Sequence, residues 1–261
     1  NYKHLAIISI FTMPRFIDYF AIIGTNEEKY FNVQEGEELV PCVLHMTPQV
    51  EWKDFCFPPG FTQFCFPGRY ELVTECPRPT FFSDVLTDVG GNRCHCAILL
   101  FYERTDPEKN LFIPKALTIV SQYAYNSNYK DILAAIFENL RNGSINRNLS
   151  NAENYIFQII YNQHSPEPGS PKFSISLGSN RSTVYPPISP TIPATEESVA
   201  TLLELVGIDR LIKLFGALLN DNRIVFLSKS YTYLDKCTHA LISLIYPIKY
   251  KFVYIPILPK D

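Results

Sequence analysis

The C-terminal segment, residues 208–257, constrains the fold most, because it alternates two helical patterns with two short apolar runs. Apolar residues recur at the helical period between 208 and 219 and again between 233 and 246, which predicts two helices with one buried face each. The first face comprises Ile208, Leu211, Ile212, Phe215, Leu218 and Leu219, and the second Leu234, Cys237, Leu241, Leu244 and Ile245. The runs IVFL and FVYI follow these helices and are typical of strands covered on both faces. We therefore predict that Arg223–Leu227 and Phe252–Ile257 are parallel strands joined by a right-handed crossover.

Composition narrows the class of protein. The chain has 261 residues, of which 46% are hydrophobic and 19% charged, so it can bury a sizeable core. A net charge of −3 without clustered Lys and Arg argues against nucleic acid as a partner. The seven cysteines are an odd number in apolar contexts, which favours reduced thiols and a cytoplasmic location.

The motif Cys94-His95-Cys96 is half of a possible zinc site. In a strand, however, the side chains at 94 and 96 share one face while His95 points to the other. No second ligand pair lies at zinc spacing. The sequence therefore predicts no metal site.

Two lobes are expected along the chain. The first, residues 13–104, contains an apolar strand at 16–24 and a stretch at 55–79 in which prolines alternate with phenylalanines that plug a core. A hairpin at 81–102 turns at Gly90-Gly91. The second lobe, residues 105–261, contains a helix at 129–140 and a long polar excursion at 142–195. The excursion holds an apolar island at 155–161 and a strand candidate at 173–177, and it is expected to be mobile.

Three segments together resemble the DENN domain family, whose modules activate Rab-type small GTPases. They are MPRFIDYF at 13–20, EWKDFCFPPGFTQFCFPGRYEL with PTFFSDVLTDVGGNRCHCAILLFYE between 51 and 103, and LFGALLNDNRIVFLSKSYTYLDKCTHALISLIYPIKYKFVYIPILP at 214–259. Within this family, the sequence of these segments is most similar to the amino-terminal DENN region of the SET-binding-factor group of myotubularin-related pseudophosphatases. The resemblance implies an α/β fold, with a small longin-like αβ lobe followed by a central DENN lobe that contains a parallel α/β sheet.

The resemblance also implies a function, namely guanine-nucleotide exchange on a Rab-family GTPase. The alternative is a non-catalytic scaffold domain of a pseudophosphatase that binds a GTPase or another protein. Family membership further implies a cytoplasmic location peripheral to endomembranes, with membrane contact only indirect or through domains outside this chain. Which Rab is bound does not follow from the sequence.

The GTPase of a DENN module lies across both lobes, so loops at the lobe junction are the candidate interface. The strongest candidates are Asn220, Asp221, Asn222 and Arg223 before the first predicted strand, and Ser228, Lys229 and Ser230 after it. The second loop follows the carboxyl end of a predicted parallel strand, where open α/β sheets place their sites. The alternative role for these residue types is turn formation and helix capping.

Enzyme chemistry is not indicated. The sequence contains no Gly-rich phosphate loop, no G-x-S-x-G elbow, no H-E-x-x-H motif and no Cys-x5-Arg phosphatase loop. His239 on the second predicted helix is interpreted as a solvated or core-edge histidine. We therefore expect no catalytic residue, no covalent step and no cofactor. A small-molecule α/β enzyme remains a weaker alternative.

Overall fold

The computed structural model describes residues 14–25, 39–68, 70–88, 90–106, 110–141, 145–178, 180–189, 198–248 and 250–259. Five strands form one sheet, and they are β1 Tyr19–Gly24, β2 Cys42–Thr47, β3 Thr80–Thr87, β4 Arg93–Asp106 and β5 Leu111–Ser121. Their order in the sheet is β2-β1-β5-β4-β3, and every neighbouring pair is antiparallel. The expected mixed α/β class is confirmed, and the five-stranded sheet is antiparallel throughout.

The predicted hairpin is the β3–β4 pair, in which Thr80 lies opposite Leu100 and Thr87 opposite Arg93. The backbone N–H of Asn92 donates to Asp88 Oδ1 at 2.8 Å across the turn, and Gly91 has a positive φ of 81°. Strand β5 lies between β1 and β4, so the sheet continues past residue 104, where the sequence places the end of the first lobe.

Each face of the sheet has its own core. Helices α2 Asn126–Arg141 and α3 Ile145–Asn162 cover one face, where Phe16, Leu117, Ile119, Tyr129, Ile132 and Ile156 are buried. The proline- and phenylalanine-rich stretch, with the short helix α1 Phe61–Phe64, covers the other face, where Tyr19, Phe61, Phe82, Cys96 and Ile98 are buried. The predicted packing role of these phenylalanines is therefore confirmed.

The excursion expected at 142–195 contains regular structure where it is described. Helix α3 buries Ile156, Ile159 and Ile160 against the first core. A second hairpin, β6 Phe173–Leu177 with β7 Asn180–Val184, packs on the same core through Ile175 and Val184. These elements include the apolar island at 155–161 and the strand candidate at 173–177, where a few well-spaced apolar residues are enough to anchor them.

The C-terminal lobe has helices α4 Ser198–Val206, α5 Ile208–Leu219 and α6 Tyr231–Ser243. Its small core comprises Leu202, Leu218, Cys237, Ala240, Leu241 and Ile245. The apolar face predicted for α6 is buried at Cys237, Leu241 and Ile245, but the stripe predicted on α5 is mostly open. Only Leu218 of that stripe is buried, and Ile212 is 64% exposed, because no other described element covers this side of α5.

The two parallel strands predicted at Arg223–Leu227 and Phe252–Ile257 are absent, since neither segment forms a strand. A strand requires a neighbour that exchanges backbone hydrogen bonds, and neither segment pairs with any described strand. Val225 and Leu227 are 80% and 92% exposed. An apolar run indicates that burying its side chains is favourable, but it does not determine which strand would pair with its backbone.

Candidate functional site

Helix α6 lies along the outer edge of β3, the last strand of the sheet. Thr232 Oγ1 donates to the carbonyl oxygen of Phe81 at 3.4 Å. Asp235 accepts hydrogen bonds from the backbone N–H of Ser83 at 3.2 Å and from Ser83 Oγ at 2.6 Å. An edge strand leaves backbone groups unpaired, and here the helix satisfies them. This contact joins the C-terminal lobe to the sheet.

A polar network centred on His239 extends the contact. His239 Nε2 lies 3.4 Å from Ser83 Oγ and 3.5 Å from Asn126 Nδ2, at the start of α2. Its Nδ1 lies 2.6 Å from the hydroxyl of Tyr254. The network therefore connects α6, β3, α2 and the segment after α6.

The arrangement of Ser83, Asp235 and His239 differs from a hydrolytic triad. In a triad the carboxylate holds one ring nitrogen of the histidine while the serine uses the other. Here Asp235 Oδ1 lies 3.7 Å from Nε2, the same nitrogen that faces Ser83 Oγ, and the serine donates to the carboxylate. This geometry is that of a structural hydrogen-bond network, in which His239 is not positioned as a general base for Ser83.

Two buried titratable residues lie beneath this junction, on β3 and β4. The pKa of Asp84 is raised to about 8, mainly by burial and to a smaller extent by the nearby charge of Asp235, while backbone hydrogen bonds from Val85 and Ile257 oppose the shift. Burial lowers the pKa of His95 to about 3, with smaller contributions from His239 and Arg93. Arg93 also donates to the carbonyl oxygen of Tyr250 at 2.5 Å. Neither of these two buried side chains is therefore charged at neutral pH, since Asp84 retains most of its proton and His95 has none.

Asp84 should make stability depend on pH. Folded Asp84 holds its proton up to about pH 8, whereas an unfolded aspartate ionises near pH 4. The folded state therefore binds more protons within this window, so the free energy of unfolding should fall as the pH rises through it. Asp84→Asn keeps a neutral side chain and should lose less stability. Urea denaturation at several values between about pH 4 and about pH 9 measures the difference, and parallel curves for the two proteins would contradict the assignment.

A groove of about 1080 Å³ opens above the network, between α6 and the corner formed by β3 and α2. Both lobes contribute its walls. The lining side chains include Thr80, Phe81, Asn126, Ser127, Lys130, Lys229, Ser230, Tyr231, Asp235, Lys236 and His239. We call this feature the junction groove. Any molecule bound in this groove would contact both lobes.

The structure places only two of the predicted interface residues at the junction groove, Lys229 and Ser230. Ser230 caps α6, because its Oγ accepts from the backbone N–H of Tyr233 at 3.4 Å. Ser228 Oγ accepts from the N–H of Ser230 at 3.1 Å. The sequence argument from the end of a parallel strand does not apply here, because that strand is not formed.

Asn220, Asp221, Asn222 and Arg223 do not line the junction groove. Asn220 Nδ2 donates to the carbonyl oxygen of Gly216 at 2.7 Å, and the N–H of Asn222 donates to Ala217 at 3.0 Å. Asp221 adopts a positive φ of 53°. These contacts end helix α5, which matches the alternative role in turn formation and capping.

Sequence reasoning missed the His239 network. Asp235 and His239 are four residues apart on a helix and so share a face, which was the one available local signal. Ser83 and Asn126 are 152 and 113 residues from their partners in the sequence. Only the fold brings these groups together.

Among the described residues, no group of three or more His, Cys, Asp or Glu side chains is placed to hold a metal ion. Cys94 and Cys96 do lie on one face, with sulfur atoms 3.8 Å apart. No helix in the described part of the chain combines the length and hydropathy needed to cross a membrane.

Two family models match the chain in tandem. The uDENN domain matches residues 41–101, and the DENN (AEX-3) domain matches residues 112–261. The family resemblance predicted from the sequence is therefore confirmed, and the similarity extends to a myotubularin-related protein.

Curated relatives agree with the family models. Myotubularin-related protein 5 of Caenorhabditis elegans is 27% identical over 226 residues, which cover 86% of this chain and 12% of the relative. DENN domain-containing protein 2D of Homo sapiens is 26% identical over 266 residues, covering 100% of this chain and 51% of the relative. DENN domain-containing protein 1B of Mus musculus is 24% identical, covering 81% and 26% respectively. The chain thus spans about half or less of the length of these relatives.

Proposed function

Because the chain belongs to the DENN domain family, we propose that it binds a Rab-family small GTPase and promotes the release of GDP. The observation that carries the proposal is the tandem match of uDENN and DENN modules to two lobes that share the junction groove. In sequence terms we retain the division into an upstream module at 13–104 and a central module at 105–261, although the sheet spans both.

Exchange needs a shaped surface and no nucleophile. A small GTPase holds GDP through switch loops that are either ordered or displaced. A partner that binds the nucleotide-free state more tightly than the GDP-bound state shifts the equilibrium toward release, by as much as its differential affinity allows. The network of Ser83, Asp235 and His239 supports this role, since it fixes both walls of the groove relative to each other.

Within this proposal, Lys229 and Ser230 are the favoured interface residues, because they line the groove. Ser228 and the turn at Asn220–Arg223 extend the candidate surface outside it. The protein acts in the cytoplasm at endomembranes, and its membrane contact is indirect or uses domains outside this chain.

The similarity to a myotubularin-related protein favours one second candidate, a scaffold that binds a GTPase without releasing nucleotide. The two functions differ in which nucleotide state of the GTPase is preferred. An exchange factor binds the nucleotide-free form most tightly, whereas a scaffold of this kind shows no such preference.

Biolayer interferometry with the 261-residue chain and a panel of Rab proteins tests the choice. For the cognate Rab, we expect at least about tenfold tighter binding of the nucleotide-free form than of the GDP-bound form. Equal affinity for all forms would favour the scaffold, and no binding to any Rab would contradict both functions.

A further inference from the structure

We propose that the junction groove binds an extended, acidic peptide segment of a partner protein. This inference goes beyond nucleotide exchange, because it concerns the chemistry of a segment that need not belong to a GTPase. It rests on the charge of the side chains that line the groove, on the apolar side chains among them and on the two walls of the groove.

Three lysines line the junction groove, and they lie on its two opposite walls, α2 and the N-terminal part of α6. Lys130 is on α2, with its Nζ 5.9 Å from the centre of the Phe81 ring. Lys229 precedes α6, and Lys236 lies within it. All three side chains are exposed, and no carboxylate in the described part of the chain lies within 4.0 Å of them. Their positive charge therefore faces the groove uncompensated by close ion pairs.

The acidic residue of the lining does not cancel this charge at the mouth of the groove. Among the described lining residues only Asp235 is acidic. Its side chain is 14% exposed, and both of its carboxylate oxygens accept hydrogen bonds from Ser83. The chain as a whole carries a net charge of −3, so the cationic lining is a local feature.

The groove is not uniformly polar. Phe81 and Ala134 also line it, and both are half-buried apolar side chains. A segment in which acidic residues flank one apolar residue would pair carboxylates with the lysines and cover this surface. Peptide recognition commonly combines charge and apolar anchors in this way.

Shape favours a peptide over a lipid surface. The walls rise on two sides, from α2 and from α6, and the volume of about 1080 Å³ exceeds that of a single phosphate group. A flat bilayer would meet the exposed lysine tips but could not reach the surface between the walls. An extended segment can contact both walls and the floor.

The probe is a fluorescein-labelled peptide in which Asp and Glu flank a single Leu, titrated with the full chain and followed by fluorescence anisotropy. The double variant Lys130→Glu, Lys236→Glu should bind at least about tenfold more weakly, because it replaces attraction by repulsion. The matched control, Lys172→Glu with Lys213→Glu, makes the same change of net charge at exposed positions outside the groove. It should bind like the wild type.

The outcomes are distinct. Binding of the acidic peptide that is strong in the wild type and the control and weak in the groove variant supports the proposal. Equal binding by all three proteins, or no binding by the wild type, overturns it. Groove-dependent sedimentation with vesicles containing phosphatidylserine, without peptide binding, would also overturn it in favour of a lipid surface. Since no GTPase is present, a failure here is separate from a failure of nucleotide exchange.

Discussion

Replacing Phe82 by alanine is expected to lower the free energy of unfolding by about 3–5 kcal/mol. Phe82 lies on β3, is fully buried in the core on one face of the sheet, and its ring centre is 5.4 Å from that of Tyr231 at the start of α6. The substitution leaves a cavity both in the sheet core and beneath the helix that covers the edge strand. Equilibrium denaturation in urea measures the loss.

A matched substitution tests whether burial is the cause. Phe252 is 59% exposed, so Phe252→Ala should cost about 1 kcal/mol or less. Similar losses in the two variants would show that the core around Phe82 is not packed as described. A loss below about 1 kcal/mol for Phe82→Ala would contradict the contact between β3 and α6.

Replacing Lys229 by glutamate is expected to reduce the rate at which the chain stimulates GDP release from its Rab by about 5–150-fold, corresponding to about 1–3 kcal/mol of lost interaction. The change reverses a charge at an exposed position that lines the junction groove. Folding should be preserved to within about 0.5 kcal/mol, because an exposed loop charge contributes little to stability. Release of fluorescent GDP, together with urea denaturation, separates these two effects.

Lys213→Glu is the matched control, since Lys213 is exposed on α5 and does not line the groove. The Lys213→Glu variant should stimulate GDP release from the Rab at the same rate as the wild type. If Lys229→Glu exchanges as fast as the wild type on every Rab that the wild type activates, the groove lies outside the productive interface. The interface would then have to involve another surface of the upstream lobe.

Local patterns predicted those elements whose partners are close in sequence. The hairpin at 81–102 follows from alternating strands around a glycine turn, and both strands lie next to each other in the sheet. The buried face of α6 follows from helical spacing. In both cases the pattern that predicts the element lies within a short stretch of sequence, and in the hairpin the strand that pairs with β3 follows it directly along the chain.

The predictions from sequence were wrong for elements whose packing partner is not determined by the neighbouring sequence. The runs at 223–227 and 252–257 are as apolar as central strands, yet no described strand pairs with them. Phe215, expected on a buried stripe, is only half-buried, because nothing described covers the outer side of α5. Periodicity identifies the face that favours burial but not the neighbour that provides it.

The candidate site also contains some residues that the sequence predicted and some contacts that it could not predict. Lys229 and Ser230 were predicted from their position after a parallel strand that is not formed, yet they do line the junction groove. The tie between Asp235 and Ser83 was not identified, because it joins residues 152 positions apart. A hydrogen bond of this kind is a property of the fold, and sequence spacing carries no signal for it.

The rate of GDP release is the most direct test of the proposed function. A panel of Rab proteins loaded with fluorescent GDP is mixed with the 261-residue chain and excess unlabelled nucleotide, and the decay of fluorescence is followed. The account predicts that the chain accelerates release from at least one Rab in proportion to its concentration, and that Lys229→Glu removes most of this acceleration. Release at the intrinsic rate from every Rab in the panel, with the chain shown to be folded, would contradict it.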